Sequence, residues 1–97
     1  MKIGEAQQHL DKVYGERDRA RGVERTFLWL VSEMGELSDA YIKNKGPGQL
    51  DEEAADVLAW LLSFCNVASI DLEKAFTNKY GRGCPRCRSI PCLCPLL

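Results

Sequence analysis

Three features are scarce or not in surplus in this chain, and each narrows what it does. His9 is the only histidine and sits among polar neighbours, which points to a surface role and away from catalysis. Positive charge is not in surplus: 13 Lys and Arg face 14 Asp and Glu, so no global basic field argues for nucleic acid. Long apolar runs are missing as well. The longest, Val57 to Ile70, is broken by Ser63, Asn66 and Ser69 and is too short to span a bilayer. The start, MKIGEAQQHLDK, lacks the apolar stretch of a signal peptide. A soluble, cytoplasmic protein with no membrane partner is the expectation. At 97 residues it should carry one main core.

Alternation with period two is also lacking, and no repeat of solenoid length is visible, so strands and repeat architectures are not expected. Helical periodicity fills the space instead. Ile3, Ala6, Leu10 and Val13 mark a first helix that ends at Arg21-Gly22. Phe27, Leu30, Val31, Met34, Leu37 and Tyr41 mark a second, from about Val23 to Lys43, with one face read as core. Asn44-Lys45-Gly46-Pro47-Gly48 is the strongest breaker in the chain, and a turn this short implies antiparallel neighbours. A third helix follows from Gln49 or Leu50 to Ala68. Ser69 or Asp71 then caps a fourth, Leu72 to Tyr80. The expected fold is all-α: an antiparallel bundle of about four helices over residues 1–82, with a short Cys-rich irregular tail over 83–97.

Acidic residues recur at telling positions. Glu33 and Glu36 lie three apart on the flank of the second helix's apolar stripe, and Glu53 and Asp56 do the same on the third. The pairs Glu33/Asp56, Glu36/Glu53 and Trp29/Trp60 are symmetric about one point between Asn44 and Lys45. Folding the hairpin there brings four carboxylates to one patch. Two such charges about 6 Å apart repel by roughly 3 kcal/mol at an effective dielectric of 20. A cation removes that repulsion, and oxygen ligands suit a hard ion such as Mg²⁺ or Mn²⁺. One acidic i, i+3 pair alone would read as solvated surface; two mirrored pairs with matched tryptophans read as a metal site.

These residues resemble the MazG-like nucleoside triphosphate pyrophosphohydrolases of the all-α NTP pyrophosphatase superfamily. That family's signature is E-x-x-E, a gap, then E-x-x-D. Here it is Glu33-Met34-Gly35-Glu36, sixteen residues, then Glu53-Ala54-Ala55-Asp56, with TFLWLVSEMGEL, ADVLAWLL and IDLEKAFTNKY around it. The likeness covers roughly Val23 to Tyr80. Ser32 departs from the pattern, because the family often has a further Glu there. The resemblance implies an enzyme that hydrolyses nucleoside or deoxynucleoside triphosphates to monophosphate and pyrophosphate, in nucleotide-pool house-cleaning. It implies Mg²⁺ held by Glu33, Glu36, Glu53 and Asp56, and a homodimer or dimer of dimers. One of the four carboxylates, or a water on the metal, would be the general base. Asn78 and Lys79, near the end of the fourth helix with Lys74 and Arg82, are the candidates for phosphate contacts. A solvated basic turn favoured by the helix dipole is the competing reading. Trp29 and Trp60 are candidates for stacking on a base, or for packing in the core or a subunit interface.

Cysteine is the one residue in excess. Cys65 falls on an apolar helix face and reads as a buried small hydrophobe. Cys84, Cys87, Cys92 and Cys94 give C-x2-C-x4-C-x-C, whose first half resembles a zinc-knuckle C-P-x-C turn with Arg88 where Gly is common. Four thiolates bind Zn²⁺ tetrahedrally; two disulfides or free thiols are the other states open to them. A different class of function, a non-catalytic helical module that senses nucleotides or grips a partner or nucleic acid through this tail, is the alternative. Its basic cluster is small and has no interleaved aromatics, which weakens nucleic acid as the ligand.

Overall fold

The computed structural model describes residues 1–96. Four helices follow one another: α1 (Ile3–Arg21), α2 (Val23–Ile42), α3 (Pro47–Val67) and α4 (Leu72–Tyr80). No strand occurs among the described residues, and the architecture is an all-α bundle with an irregular Cys-rich segment after α4. α3 is the central element, packed most extensively against α2 and then against α1, while α4 lies on α1. No single helix among the described residues is long and apolar enough to cross a membrane.

Local chemistry sets the boundaries. α1 and α2 are separated by Gly22 alone, whose φ of +91° lies where residues with a Cβ are strained. Its carbonyl receives the hydroxyl of Thr26 at 2.8 Å, and Thr26 is fully buried. α2 ends in a Schellman motif: Asn44 takes φ +51°, its N–H donates to Tyr41 O at 3.2 Å, and Lys45 N–H donates to Ala40 O at 3.1 Å. α3 begins at Pro47, earlier than expected, because proline's fixed φ and missing N–H suit the first helical position. Asp71 caps α4 by accepting from Lys74 N–H at 3.1 Å.

Gln7 ties the α3–α4 corner to α1. Its amide donates to Ile70 O at 2.7 Å and accepts from Leu72 N–H at 3.2 Å, while Asn66 donates to Gln7 O at 3.1 Å. The fully buried apolar core is thin: Ala40, Leu62 and Cys65. Burial pushes the Cys65 thiol up, as fits a small hydrophobe rather than a nucleophile.

The apolar stripe of α2 departs from expectation. Phe27, Val31, Met34 and Tyr41, read as core, are 48%, 53%, 50% and 74% exposed, and Leu28 is 65% exposed. Phe27 still reaches α3, with its ring 5.6 Å from Phe64. The other three helices, in a chain under a hundred residues, do not have enough facing surface to cover this stripe.

Candidate active site

α2 and α3 run antiparallel, so two acidic i, i+3 steps face each other. One carboxylate oxygen from each of Glu33, Glu53 and Asp56 lies within 4.8 Å of the other two. Glu36, one turn further along α2, is outside that trio but close enough to Glu33 to raise its carboxyl. It shares with Glu53 an open cavity of about 440 Å³ lined also by Ser32, Gly35, Asp39 and Lys45. Lys45 and Lys43 both pair with Asp39, at 3.4 and 3.2 Å, and hold its carboxyl below the usual range. That pairing leaves the four carboxylates without a partner of opposite charge among the salt bridges of the described residues.

The hydrogen-bond accounting is more telling than the clustering. Gln49 donates to Glu53 Oε1 at 2.8 Å, yet Glu53 Oε2 is buried with no partner, and so is Glu33 Oε2. Orphaned buried carboxylate oxygens are costly unless something cationic satisfies them. Burial first, then the hydrogen bond and charge of Glu36, then Asp56 and Glu53, push the Glu33 carboxyl up. The donor set is all oxygen, offered from two rigid helices, and fits a hard divalent cation.

Trp29 and Trp60 stack with centroids 5.8 Å apart and planes at 20°. The Arg21 guanidinium lies 4.8 Å from the Trp60 ring. Beside this stack is a smaller cavity, about 210 Å³, lined by Tyr14, Asp18, Arg21, Asp56, Trp60 and Ser63. Asp56 belongs to both the acidic cluster and this cavity, so the two adjoin.

The α1 contribution to that cavity escaped the sequence reading. Asp18 is 2% exposed, pairs with Arg21 at 2.8 Å and keeps Oδ2 unpartnered. The available signal was spacing: Leu10, Tyr14, Asp18 and Arg21 continue one helical face, so charge replaces apolar side chains where α1 meets α3.

Asn78 and Lys79 lie elsewhere. They line a cavity of about 590 Å³ with Thr77, Arg82, Cys84 and Arg88, and it shares no lining residue with either cavity beside the carboxylates. His9 is exposed.

The four tail sulfurs converge: Cys84, Cys87, Cys92 and Cys94 all lie within 4.8 Å of one another, and none is disulfide-bonded. Backbone N–H groups of Leu93 and Ser89 hold Cys87 down at about 6, and those of Cys87 and Arg86 lower Cys84. Cys94 is pushed up to about 12 by the other sulfurs, Cys92 foremost. Two of the thiols are thus favoured as thiolates, and one is held protonated chiefly by hydrogen bonds with its neighbours.

No curated protein matches the chain. Residues 21–88, from the last residue of α1 through the first half of the cysteine cluster, match the MazG nucleotide pyrophosphohydrolase domain. With that match over most of its length, and with facing E-x-x-E and E-x-x-D steps on an all-α hairpin, the chain belongs to the family of the MazG nucleotide pyrophosphohydrolase domain.

Proposed function

We propose that this protein is a Mg²⁺-dependent pyrophosphohydrolase of nucleoside or deoxynucleoside triphosphates, releasing monophosphate and pyrophosphate in nucleotide-pool house-cleaning. The observation that carries the reading is the pair of orphaned, buried oxygens, Glu33 Oε2 and Glu53 Oε2, in one cluster with Asp56. Glu33, Glu36, Glu53 and Asp56 are the ligands, and Mn²⁺ is an acceptable substitute for an all-oxygen set. Bound there, the cation supplies charge neutralisation to the triphosphate and acidity to a nearby water.

The chain's own residues supply position and a proton acceptor. Water attacks the α-phosphorus in line, the bond from that phosphorus to its bridging oxygen breaks, and pyrophosphate leaves. One of the four carboxylates, or a water on the cation, would take the proton of the attacking water. The cavity between Asp56 and Trp60 accommodates the base or sugar, with an aromatic wall on one side and the unpartnered Asp18 Oδ2 as a hydrogen-bond acceptor. Asn78 and Lys79 line a basic cleft with Arg82 and Arg88 that is separate from the carboxylates, so as phosphate contacts they would reach a bound triphosphate only across a subunit contact. The exposed apolar stripe of α2 supports a homodimer or dimer of dimers.

The test is incubation with each NTP and dNTP plus Mg²⁺, with product analysis. Monophosphate and pyrophosphate are expected. Orthophosphate as the direct product, or binding without turnover under any divalent cation, overturns the reading, and the second outcome would make the protein a nucleotide sensor. Glu36→Gln and Asp56→Asn should each lower turnover at least ~100-fold, the scale of a lost electrostatic stabiliser, with folding unimpaired.

A further inference from the structure

The segment from Cys84 to Cys94 holds a defined shape that its packing does not explain. None of its residues is fully buried. Ile90 and Leu93 are 81% and 75% exposed, so the apolar side chains that would anchor a coil point to solvent. The backbone makes no helix or strand there. Small irregular segments of this kind need a cross-link, and a structural metal is one that thiols supply.

The sulfur geometry selects the cross-link. Cys84 Sγ lies 3.7 Å from Cys94 Sγ, and Cys87 Sγ lies 3.9 Å from Cys92 Sγ. A tetrahedron with Zn–S bonds of about 2.3 Å has edges of about 3.8 Å. A disulfide needs about 2.05 Å. The second shell has the matching form: Leu93 N–H donates to Cys87 Sγ and Cys94 N–H to Cys92 Sγ, each at 3.4 Å. The first turn closes through Arg88 N–H to Cys84 O at 2.6 Å, with Arg88 itself at φ +61°.

We propose that Cys84, Cys87, Cys92 and Cys94 form a mononuclear, structural Zn²⁺ site. Four thiolates close the coordination sphere, so the ion has no open position for substrate and its role is to fix the segment. What it fixes is part of a wall: Cys84, Pro85 and Arg88 line the basic cleft together with Thr77, Asn78, Lys79 and Arg82. Soft sulfur ligands also keep this site distinct from the all-oxygen carboxylate cluster. The assignment does not depend on the hydrolase reading.

The test uses the full chain purified under reducing conditions with zinc supplied. One zinc per chain is expected. Replacement by Co²⁺ should give intense tetrahedral d–d bands and sulfur-to-cobalt charge transfer, and that charge-transfer band should be lost in Cys87→Ser and in Cys92→Ser. Glu33→Gln, which touches only the oxygen cluster, should leave the cobalt spectrum unchanged. Thiol titration of the wild type covers the case in which a serine variant fails to fold: the tail thiols should be protected until a strong chelator is added. Tail thiols that react freely despite added zinc, two disulfides in the purified chain that yield no metal binding on reduction, or iron in place of zinc would each overturn the proposal.

Discussion

Glu33 on α2 and Glu53 on α3 each bury one carboxylate oxygen, Oε2 in both cases, that no hydrogen bond reaches. Two such orphans in one acidic cluster raise the energy of the fold unless a proton or a cation satisfies them. The consequences can be measured without knowing the substrate.

The first concerns pH. Glu33 is held above its ordinary range, first by burial and then by Glu36, Asp56 and Glu53. Its protonated form is therefore favoured by folding, and the folded state binds more protons than the unfolded chain between the ordinary and the raised value. The resulting contribution to stability is present in full below the ordinary glutamate value and is lost as pH rises through the raised one. Denaturant unfolding in the presence of a chelator should show this loss as pH rises above the ordinary glutamate range. Glu33→Gln should flatten the slope, and Mg²⁺ should oppose it, since the cation binds the deprotonated carboxylate. An unchanged slope in the variant would refute the attribution.

A second prediction is an asymmetry within one ion pair. Asp18 is almost wholly buried, whereas the Arg21 side chain keeps 23% of its surface exposed. Arg21→Met strands a charge in the interior and should cost about 3 kcal/mol. Asp18→Asn leaves Arg21 free to turn to water and should cost about 1 kcal/mol. Equal losses in thermal or denaturant unfolding would contradict this account.

The exposed stripe of α2 leads to a third. Leu28, 65% exposed, lies beside Phe27, Val31 and Met34, each about half exposed, on the helix that also packs against α3. Light scattering should find a homo-oligomer, and Leu28→Glu should shift it to monomer by placing a charge in a desolvated contact. A monomeric wild type would remove the basis for the oligomer.

The fourth turns on one backbone angle. Arg88 occupies the left-handed region at φ +61°, a conformation that costs a residue with a Cβ about 1 kcal/mol. Arg88→Gly keeps the N–H that bonds Cys84 O and should relieve that cost. Chelator competition should then show zinc retained about fivefold more tightly, as about 1 kcal/mol implies. Equal or weaker retention would mean that the arginine side chain contributes more than its conformation costs.

Much of the hairpin was legible because its information is local and periodic. Gly22, the Asn44–Gly48 stretch and Asp71 each mark a boundary through backbone chemistry that a residue name reveals. The mirrored positions of Trp29 and Trp60 suffice to bring them together, since a tight turn leaves little freedom of register. What was not legible depended on partners outside that hairpin. An apolar stripe looks the same whether it meets another helix of the chain or nothing, so Val31 and Met34 read as core and are half exposed. Asp18 looks like surface charge until α1 is laid on α3. Asn78 and Lys79 have the right chemistry for phosphate, but their cleft is separate from the carboxylates, a separation no spacing rule reports. The start of α3 was placed two or three residues late because Pro47 reads as a breaker and acts as a first helical residue.

The tryptophan stack has a practical corollary. Trp29 and Trp60 are the only two indoles in the chain, and they stack at the edge of the acidic cluster, one of them beneath a guanidinium. Their emission and their coupled near-ultraviolet dichroism therefore originate at a single locus. Occupancy of that locus becomes a spectroscopic signal intrinsic to the unlabelled protein, open to titration with cations and nucleotides alike.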